Sequence, residues 1–480
     1  MTGIPRKSLE PWLGDWISYY DHQVKGVRWM LRHRNFLLAD DMGTGKSLQA
    51  LTTFAADVHR GWATTMLIVC PIILKDNWRD EIQKFTTIPC TVLDGGPDAR
   101  AVQIAGFMLQ AGPRILITNY ETVHAELDLL NALHFDVLLL DEAHHIKNPE
   151  AKRTQSVLQL YSHRTFVLTG TPMLNRITEL WPLLHRIDPK LFPNYYKFMS
   201  RYVVRGGHNK KEIVGIKNEN ELIERLSNVM IRRLKKDVLD LPEVNRVERI
   251  LSLYSDQQTV YDKIADELIL PRPDASEEEI KSHLTKMLRL KQVCGNLMEF
   301  TGKDVSAKMD AALVDDSALI ETGEKIVIFT QFRSVMDLYA QRLRRIYPDL
   351  PIFELHGGVP KNDRHPMTKR WAAVTGSAVL ICMLQIASEG LNLVASKNVS
   401  FLDELWTPGK NQQAVDRVHR IGADVTQPVT VRTYLCKDTV EERVKQVLTQ
   451  KSALITGIIE MSPGWQRVLV DALREQEAKK

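Results

Sequence analysis

Nine consecutive residues, Ala39-Asp40-Asp41-Met42-Gly43-Thr44-Gly45-Lys46-Ser47, combine types suited to one chemistry, the cradling of phosphate. The glycines let backbone N–H groups close on an anion, the lysine adds a cation, and the serine a hydroxyl. An apolar run, Phe36-Leu37-Leu38, precedes them, and the spacing from Leu48 to Val58 predicts a helix after them. Strand, glycine-rich turn, Gly-Lys-Ser and helix is the layout of a phosphate-binding loop. In it Gly43, Thr44 and Gly45 wrap the phosphates of ATP, Lys46 reaches the β- and γ-phosphates, and Ser47 helps hold magnesium. The strict pattern has glycine six residues before the lysine, where this chain has Asp40. The alternative is a glycine-rich hairpin with an incidental lysine.

Three further clusters could share that chemistry. In Val137-Leu138-Leu139-Leu140-Asp141-Glu142-Ala143-His144 an apolar run ends in two acids. Two acids at a strand end are often a helix cap. Beside a phosphate loop, Asp141 would hold Mg2+ and Glu142 would orient and deprotonate the attacking water. Leu168-Thr169-Gly170-Thr171-Pro172 reads as a turn, or as a sensor of the γ-phosphate. Arg417 and Arg420 are three residues apart, so a helix would place them on one face. They could stabilise phosphoryl charge, or form a surface ion pair with Asp416.

The elements that must position these residues fall into two similar halves. Continuous apolar runs recur at Phe36–Leu38, Met66–Cys70, Ile115–Thr118, Val137–Leu140 and Phe166–Leu168. They recur again at Ile326–Thr330, Ile352–Leu355, Val379–Cys382, Val399–Leu402 and Val429–Tyr434. Runs without alternation predict strands buried on both faces, hence an α/β fold of two tandem parallel-sheet domains. Helical spacing over Asn220–Lys236, Asp256–Leu270 and Ser276–Val293 predicts a helical insertion between them, and Ser462–Lys480 a short terminal helix. The division expected is 1–18 extension, 19–190 first sheet domain, 191–300 helical insertion and linker, 301–455 second sheet domain, and 456–480 tail.

Composition narrows the class. With 44% hydrophobic and 25% charged residues, and no apolar run long enough to span a bilayer, the chain reads as globular, without a membrane partner. Five scattered cysteines without a Cys-x-x-Cys pair fit reduced thiols and argue against a zinc site. A net charge of +4 does not by itself indicate nucleic acid. The basic runs Arg232–Lys236 and Lys281–Lys291 read first as solvated helix faces.

Taken together the segments resemble the Swi/Snf-type branch of superfamily-two helicase-like ATPases, over about Tyr19 to Val447. Tyr20-Asp21-His22-Gln23 looks like the glutamine motif, Asp141-Glu142-Ala143-His144 like the DEAH box, and Leu168–Asn175 like the third motif. Arg232-Arg233-Leu234-Lys235-Lys236-Asp237-Val238 with Leu241-Pro242 resembles a signature of this branch. Pro71–Trp78 and Ile117–Tyr120 resemble strand-contacting motifs. Phe329–Phe332, Glu389–Leu393 and Gln413–Gly422 resemble those of the second half. In this branch an aspartate at position 40 is ordinary. His22, Thr407 and Ala387-Ser388 depart from the pattern, without removing a catalytic group.

The resemblance implies two RecA-like sheets and a DNA-dependent ATPase that translocates on duplex DNA, with little sequence preference and little unwinding. It implies that Gln23 reads adenine, that Gly390 and Asp416 lie on the nucleotide, and that ATP sits between the halves with Arg417 and Arg420 closing on it. Lys75, Asn77, Thr118, Thr330, Gln331 and Asn392 would contact the DNA. The compact length is as expected of a bare motor of viral or bacterial origin, working in the cytoplasm, or in the nucleus if eukaryotic. A strand-separating helicase, a catalytically silent DNA clamp and an RNA-directed motor are the rival readings.

Overall fold

The structure, a computed structural model, describes residues 12–14, 17–173, 177–206, 212–266, 277–387, 391–406, 408–420, 424, 426–442 and 445. The chain forms two compact units. The first runs through Val204 and resumes from Gly215 to Leu239; the second contains Arg205–Val214 and Asp240–Leu454.

In the first unit, helix α1 (Asp21–Met30) precedes strand β1 (Asn35–Leu38), and helix α2 (Lys46–His59) leads to β2 (Thr65–Cys70). Helix α3 (Lys75–Phe85), strands β3 (Cys90–Val92) and β4 (Arg114–Asn119), helix α4 (Tyr120–Ala125), and strands β5 (Val137–Leu140) and β6 (Arg164–Leu168) follow. Helix α5 (Glu219–Ser227), the two-residue strand β7 (Met230–Ile231) and helix α6 (Lys235–Val238) complete the unit. The seven strands order β3-β4-β2-β5-β6-β1-β7, and all their pairings are parallel. Every residue of β2 and of β5 is buried, as continuous apolar runs require when helices cover both faces. Phe36 on β1 and Phe166 on β6 stack with ring centroids 4.6 Å apart. Each such ring contributes about 1.5–3 kcal/mol through burial, so the strand that delivers the phosphate loop is fixed in the core.

The second unit opens with β8 (Val244–Leu251), helices α7 (Ser255–Asp266), α8 (Glu277–Gly295) and α9 (Ala307–Glu321). Strands β9 (Lys325–Thr330), β10 (Ile352–Leu355), β11 (Ala378–Met383) and β12 (Asn398–Phe401), helix α10 (Pro408–Val415) and strand β13 (Val429–Cys436) follow. The order is β8-β13-β12-β9-β11-β10, again all parallel. No described helix is long and apolar enough to cross a membrane.

All ten expected strands are present. The helix expected over Asn220–Lys236 is not continuous: it stops at Ser227, and Met230–Ile231 pair with β1. The helices at Ser255–Asp266 and Glu277–Gly295 belong to the second unit, so the stretch expected as one insertion is divided between the units. Ser462–Lys480 lie outside the described residues.

Candidate functional site

The sheet order places β2, β5, β6 and β1 side by side. Parallel strands bring their carboxyl ends to one edge, so the segments after Cys70, Leu140, Leu168 and Leu38 share that edge. These are the segments carrying Trp78, Asp141-Glu142, Thr169-Gly170 and the phosphate loop.

The loop turns on Gly43 and Gly45, with φ of 81° and 79°, in the left-handed region. At Gly45 a Cβ would also lie 2.3 Å from the Gln23 amide nitrogen, so only glycine fits. Gln23 and His22 both donate to the Thr44 carbonyl, at 3.1 and 2.9 Å, while Gln23 Oε1 accepts from the Tyr20 N–H at 3.1 Å. The glutamine assigned to adenine thus braces the loop and caps α1. The Thr44 hydroxyl donates to the Asp41 carbonyl at 2.8 Å. Lys46 opens α2, and its Nζ donates to the carbonyls of Asp40 and Asp41 at 2.9 and 3.1 Å. Ser47, beside it, is half-buried.

Asp40 is fully buried and ion-paired to Arg233, which also donates to the His22 carbonyl and to Gln49 Oε1 at 2.8 Å. Arg232 pairs with Asp41 at 3.0 Å and donates to the carbonyls of Ala39 and Gly170 at 2.6 and 3.2 Å. The Lys235 N–H donates to Asp41 at 3.1 Å. The Arg232–Lys236 run is therefore not a solvated helix face. Backbone bonds from Leu37, Ala39 and Asp41 to the carbonyls of Val229, Ile231 and Arg233 align it as an extended strap along the loop.

Glu142 holds φ 47° and ψ 49°, a left-handed conformation costing a non-glycine residue about 1–3 kcal/mol. Its Oε2 lies 3.3 Å from His144 Nδ1. Asp141 accepts from Trp78 Nε1 at 2.8 Å and from the Glu142 N–H at 2.9 Å, while Tyr120 Oη donates to its carbonyl at 2.7 Å. Burial, and then the charge of Glu142, push the Asp141 carboxyl up to about 7. Burial also lowers the Lys46 ammonium, against the pull of Glu142, Asp40, Asp141 and Asp41. Of those four acids, Asp40 and Asp41 are paired with arginines. The charges of Asp141 and Glu142 act on Lys46, the residue before Ser47, and two carboxylates and a hydroxyl are hard oxygen donors of the kind that suit Mg2+ bound with phosphate. Gly170 packs on the loop: a Cβ there would meet Met42 Cγ at 2.7 Å and Met42 N at 3.3 Å. The Thr171 N–H donates to the Thr169 hydroxyl at 3.1 Å, making the third motif a tight turn against the loop. Leu174 and Asn175 lie outside the described residues.

In the second unit α10 ends at Val415, so Arg417 and Arg420 occupy the turn that follows and do not share a helix face. Arg417 and Asp416 are buried, which excludes a surface ion pair, and the Arg417 carbonyl accepts from the Leu393 N–H at 2.9 Å. His419 Nε2 donates to the Pro242 carbonyl at 2.8 Å. Gly390, with Glu389, Thr407 and Gly422, lies outside the described residues.

The expected DNA contacts need correction. Lys75 is 5% exposed, and its Nζ donates to the Leu93 carbonyl and to Asp94, both at 2.9 Å. Thr118 and Thr330 are fully buried, and the Thr330 hydroxyl donates to Asp403 at 2.6 Å. In this structure none of these three is exposed, and the Thr118 hydroxyl has no hydrogen-bond partner among the described residues. Asn77 and Gln331 are half-buried and Asn392 is exposed. Sequence reasoning also missed Arg233, Trp78 and Tyr120 as site residues. Only Arg233 left a signal: an aspartate in a phosphate loop needs a cation.

A SNF2-related domain model matches residues 22–298, more than half of the chain, and a helicase conserved C-terminal domain model matches residues 309–422. The chain belongs to the SNF2-related family. The Bacillus subtilis protein YwqA, a candidate ATP-dependent helicase/translocase, is 28% identical over 92% of this chain and 49% of its own length. Human SWI/SNF-related matrix-associated actin-dependent regulator of chromatin subfamily A member 1 is 28% identical over 92% of this chain and 43% of its own length. The SWI2/SNF2 ATPase core of Sulfolobus solfataricus, solved in complex with dsDNA, is 26% identical with a TM-score of 0.43, covering 94% of each chain. The chain spans about half the length of the curated relatives it matches. The first parallel sheet falls within the SNF2-related match, whereas of the second sheet β9 to β12 fall within the helicase C-terminal match, β8 lies in the first matched region and β13 lies beyond both.

Proposed function

We propose that this SNF2-related protein is an ATP hydrolase that couples hydrolysis to movement along duplex DNA. The observation that carries the chemistry is the convergence on Lys46 of the Asp141 and Glu142 charges, at the mouth of a loop whose two glycines turn left-handed. Lys46 exchanges two backbone carbonyls for the β- and γ-phosphates, and the N–H groups at the start of α2 face the same charge. Ser47 and Asp141 would hold Mg2+. When bound there, Mg2+ would supply positive charge against the phosphates. Glu142 orients the attacking water and takes its proton. Gln23 keeps the loop shaped and offers adenine its amide. Arg417 and Arg420, with Gly390 and Asp416, belong to the same reading as residues of the nucleotide reaction, the arginines stabilising phosphoryl charge.

Movement on DNA is supported by membership of a family whose relatives are named as helicase/translocases and chromatin regulators. Binding then falls mainly on phosphates, through Asn77, Gln331 and Asn392 among the residues expected there, so affinity drops with salt and shows little sequence preference. The decisive experiment compares ATP turnover with no nucleic acid, single-stranded DNA, duplex DNA, forked DNA and RNA. Stimulation is expected to be greatest with duplex, and Lys46→Ala and Glu142→Gln are each expected to abolish it. Near-normal turnover by either purified variant refutes the assignment, and efficient separation of a plain fork refutes movement without unwinding.

A further inference from the structure

Two segments expected to touch a nucleic-acid strand send their aromatic residues inward to one acidic residue. Trp78 lies in the first turn of α3, 3% exposed, and donates its indole N–H to the Asp141 carboxylate at 2.8 Å. Tyr120 opens α4, fully buried, and donates its hydroxyl to the Asp141 carbonyl at 2.7 Å. The side chain and the backbone of the same residue are thus held by the two segments separately.

Both segments are stiff where they make this contact. The start of α3 is pinned by the bonds from Lys75 to Leu93 and Asp94. The start of α4 is capped by Asn119, which accepts from the N–H groups of Glu121 and Thr122 at 3.0 and 2.9 Å. The His145 ring stacks flat on Tyr120, with centroids 5.5 Å apart and 8° between planes. Outward the same segments offer half-buried Asn77 and exposed Asp76 and Glu121. Lys75 and Thr118 stay inside. The polar groups expected to face DNA therefore mostly do not, while the aromatics face the nucleotide chemistry.

We propose that Trp78 and Tyr120 are positioning residues for Asp141, holding the acid assigned to Mg2+ in the orientation that ATP hydrolysis needs. This rests on the ATPase reading above. Trp78 fixes the Asp141 carboxylate directly, and Tyr120 fixes the backbone that carries it. Loss of a donor that orients a metal-binding group typically lowers metal affinity or activity about 10–100-fold.

The test uses Trp78→Phe and Tyr120→Phe in the full chain. Three readouts are taken: duplex affinity by fluorescence anisotropy, duplex-stimulated kcat and KM for ATP, and the thermal shift from a non-hydrolysable ATP analogue as Mg2+ is titrated. The expected result is unchanged duplex affinity, a stimulated kcat lowered about 10–100-fold, and a Mg2+ midpoint raised by a comparable factor. Unchanged kcat and unchanged Mg2+ midpoint in soluble variants overturn the proposal. So does loss of duplex affinity in step with kcat, which would make these residues supports of the DNA surface. Tyr120→Phe removes one oxygen and decides the matter if Trp78→Phe does not fold. A wild-type protein that no nucleic acid stimulates overturns the function reading as well, whereas stimulation undiminished in both variants overturns this inference alone.

Discussion

Replacing Arg233 by alanine should damage the first unit more than any other single truncation in the strap. Asp40 is fully buried, and both its oxygens rest on Arg233; among the described residues its other side-chain donor is Gln49 Nε2, at 3.4 Å. Arg233→Ala leaves a buried carboxylate without its counter-ion, and also frees the His22 carbonyl and Gln49 Oε1. Breaking a buried pair from one side costs about 3–5 kcal/mol. At a urea slope of about 1–3 kcal/mol/M, the unfolding midpoint of the first unit should fall by about 1–5 M. The assay is urea unfolding of the full chain, with tryptophan fluorescence and circular dichroism followed separately because two units need not unfold together. The companion variant is Asp40→Gly, which restores the strict phosphate-loop pattern. Judged by that pattern it should be harmless. Judged by the structure it strands Arg233 inside the protein and is destabilising. Removing both charges, in Asp40→Asn with Arg233→Met, should cost less than the sum of the single changes by about 0.5–3 kcal/mol. A shift in Arg233→Ala below that of an ordinary surface change, or strict additivity in the double variant, refutes the clamp.

Three other outcomes follow. Gly170→Ala would push a methyl group against the Met42 backbone nitrogen at 3.3 Å, so the loop must shift; overpacking of this kind costs about 1–3 kcal/mol, and calorimetry should show weaker ATP-analogue binding. Lys75→Ala should lower stability but leave the slope of log affinity for duplex against log salt unchanged; a phosphate contact would remove about 0.9 from that slope. Asp316 is buried and bonded to Tyr339 and Ser400 at 2.7 and 2.9 Å, and burial raises its pKa to about 6. A raised acid binds its proton more tightly in the folded state, so its contribution is present below pH 3.8 and lost as pH rises to about 6. That shift corresponds to about 3 kcal/mol, and Asp316→Asn should flatten that part of the stability profile of the second unit, as measured by urea unfolding between pH 4 and 7.

Much of the fold was legible because buried parallel strands leave uninterrupted apolar runs, and ten such runs stand in this chain. The strands that were missed share a different physics. Strand β8 carries Arg246, Glu248 and Arg249 on a largely exposed edge, where charges guard against further pairing and erase the apolar signal. Strand β7 is two residues long and is defined by its partner β1, not by its own pattern. In the site, residue type was enough for Lys46, Asp141 and Glu142, since few arrangements other than phosphate chemistry collect them. It was not enough for Lys75, Thr118 and Thr330. A lysine or threonine at a strand end can face either way, and the choice is made by packing against residues such as Leu93 and Asp403 that no local pattern identifies. The Asp40–Arg233 pair spans 193 positions, so only the cost of an uncompensated buried acid hinted at it.

The segment from Arg232 to Pro242 therefore has a more specific task than a basic run suggests. Its first residues belong to the first unit, where Arg232 and Arg233 hold the acids and carbonyls of the phosphate loop. Its last residue belongs to the second unit, where the Pro242 carbonyl accepts from His419 in the turn that carries Arg417 and Arg420. A flexible linker would need neither anchor, and a solvated helix face would have its charges in water. Each end of this segment is instead hydrogen-bonded within its own unit. On this argument, lengthening the strap by glycines after Leu239 should leave each unit folded while uncoupling duplex stimulation from ATP turnover.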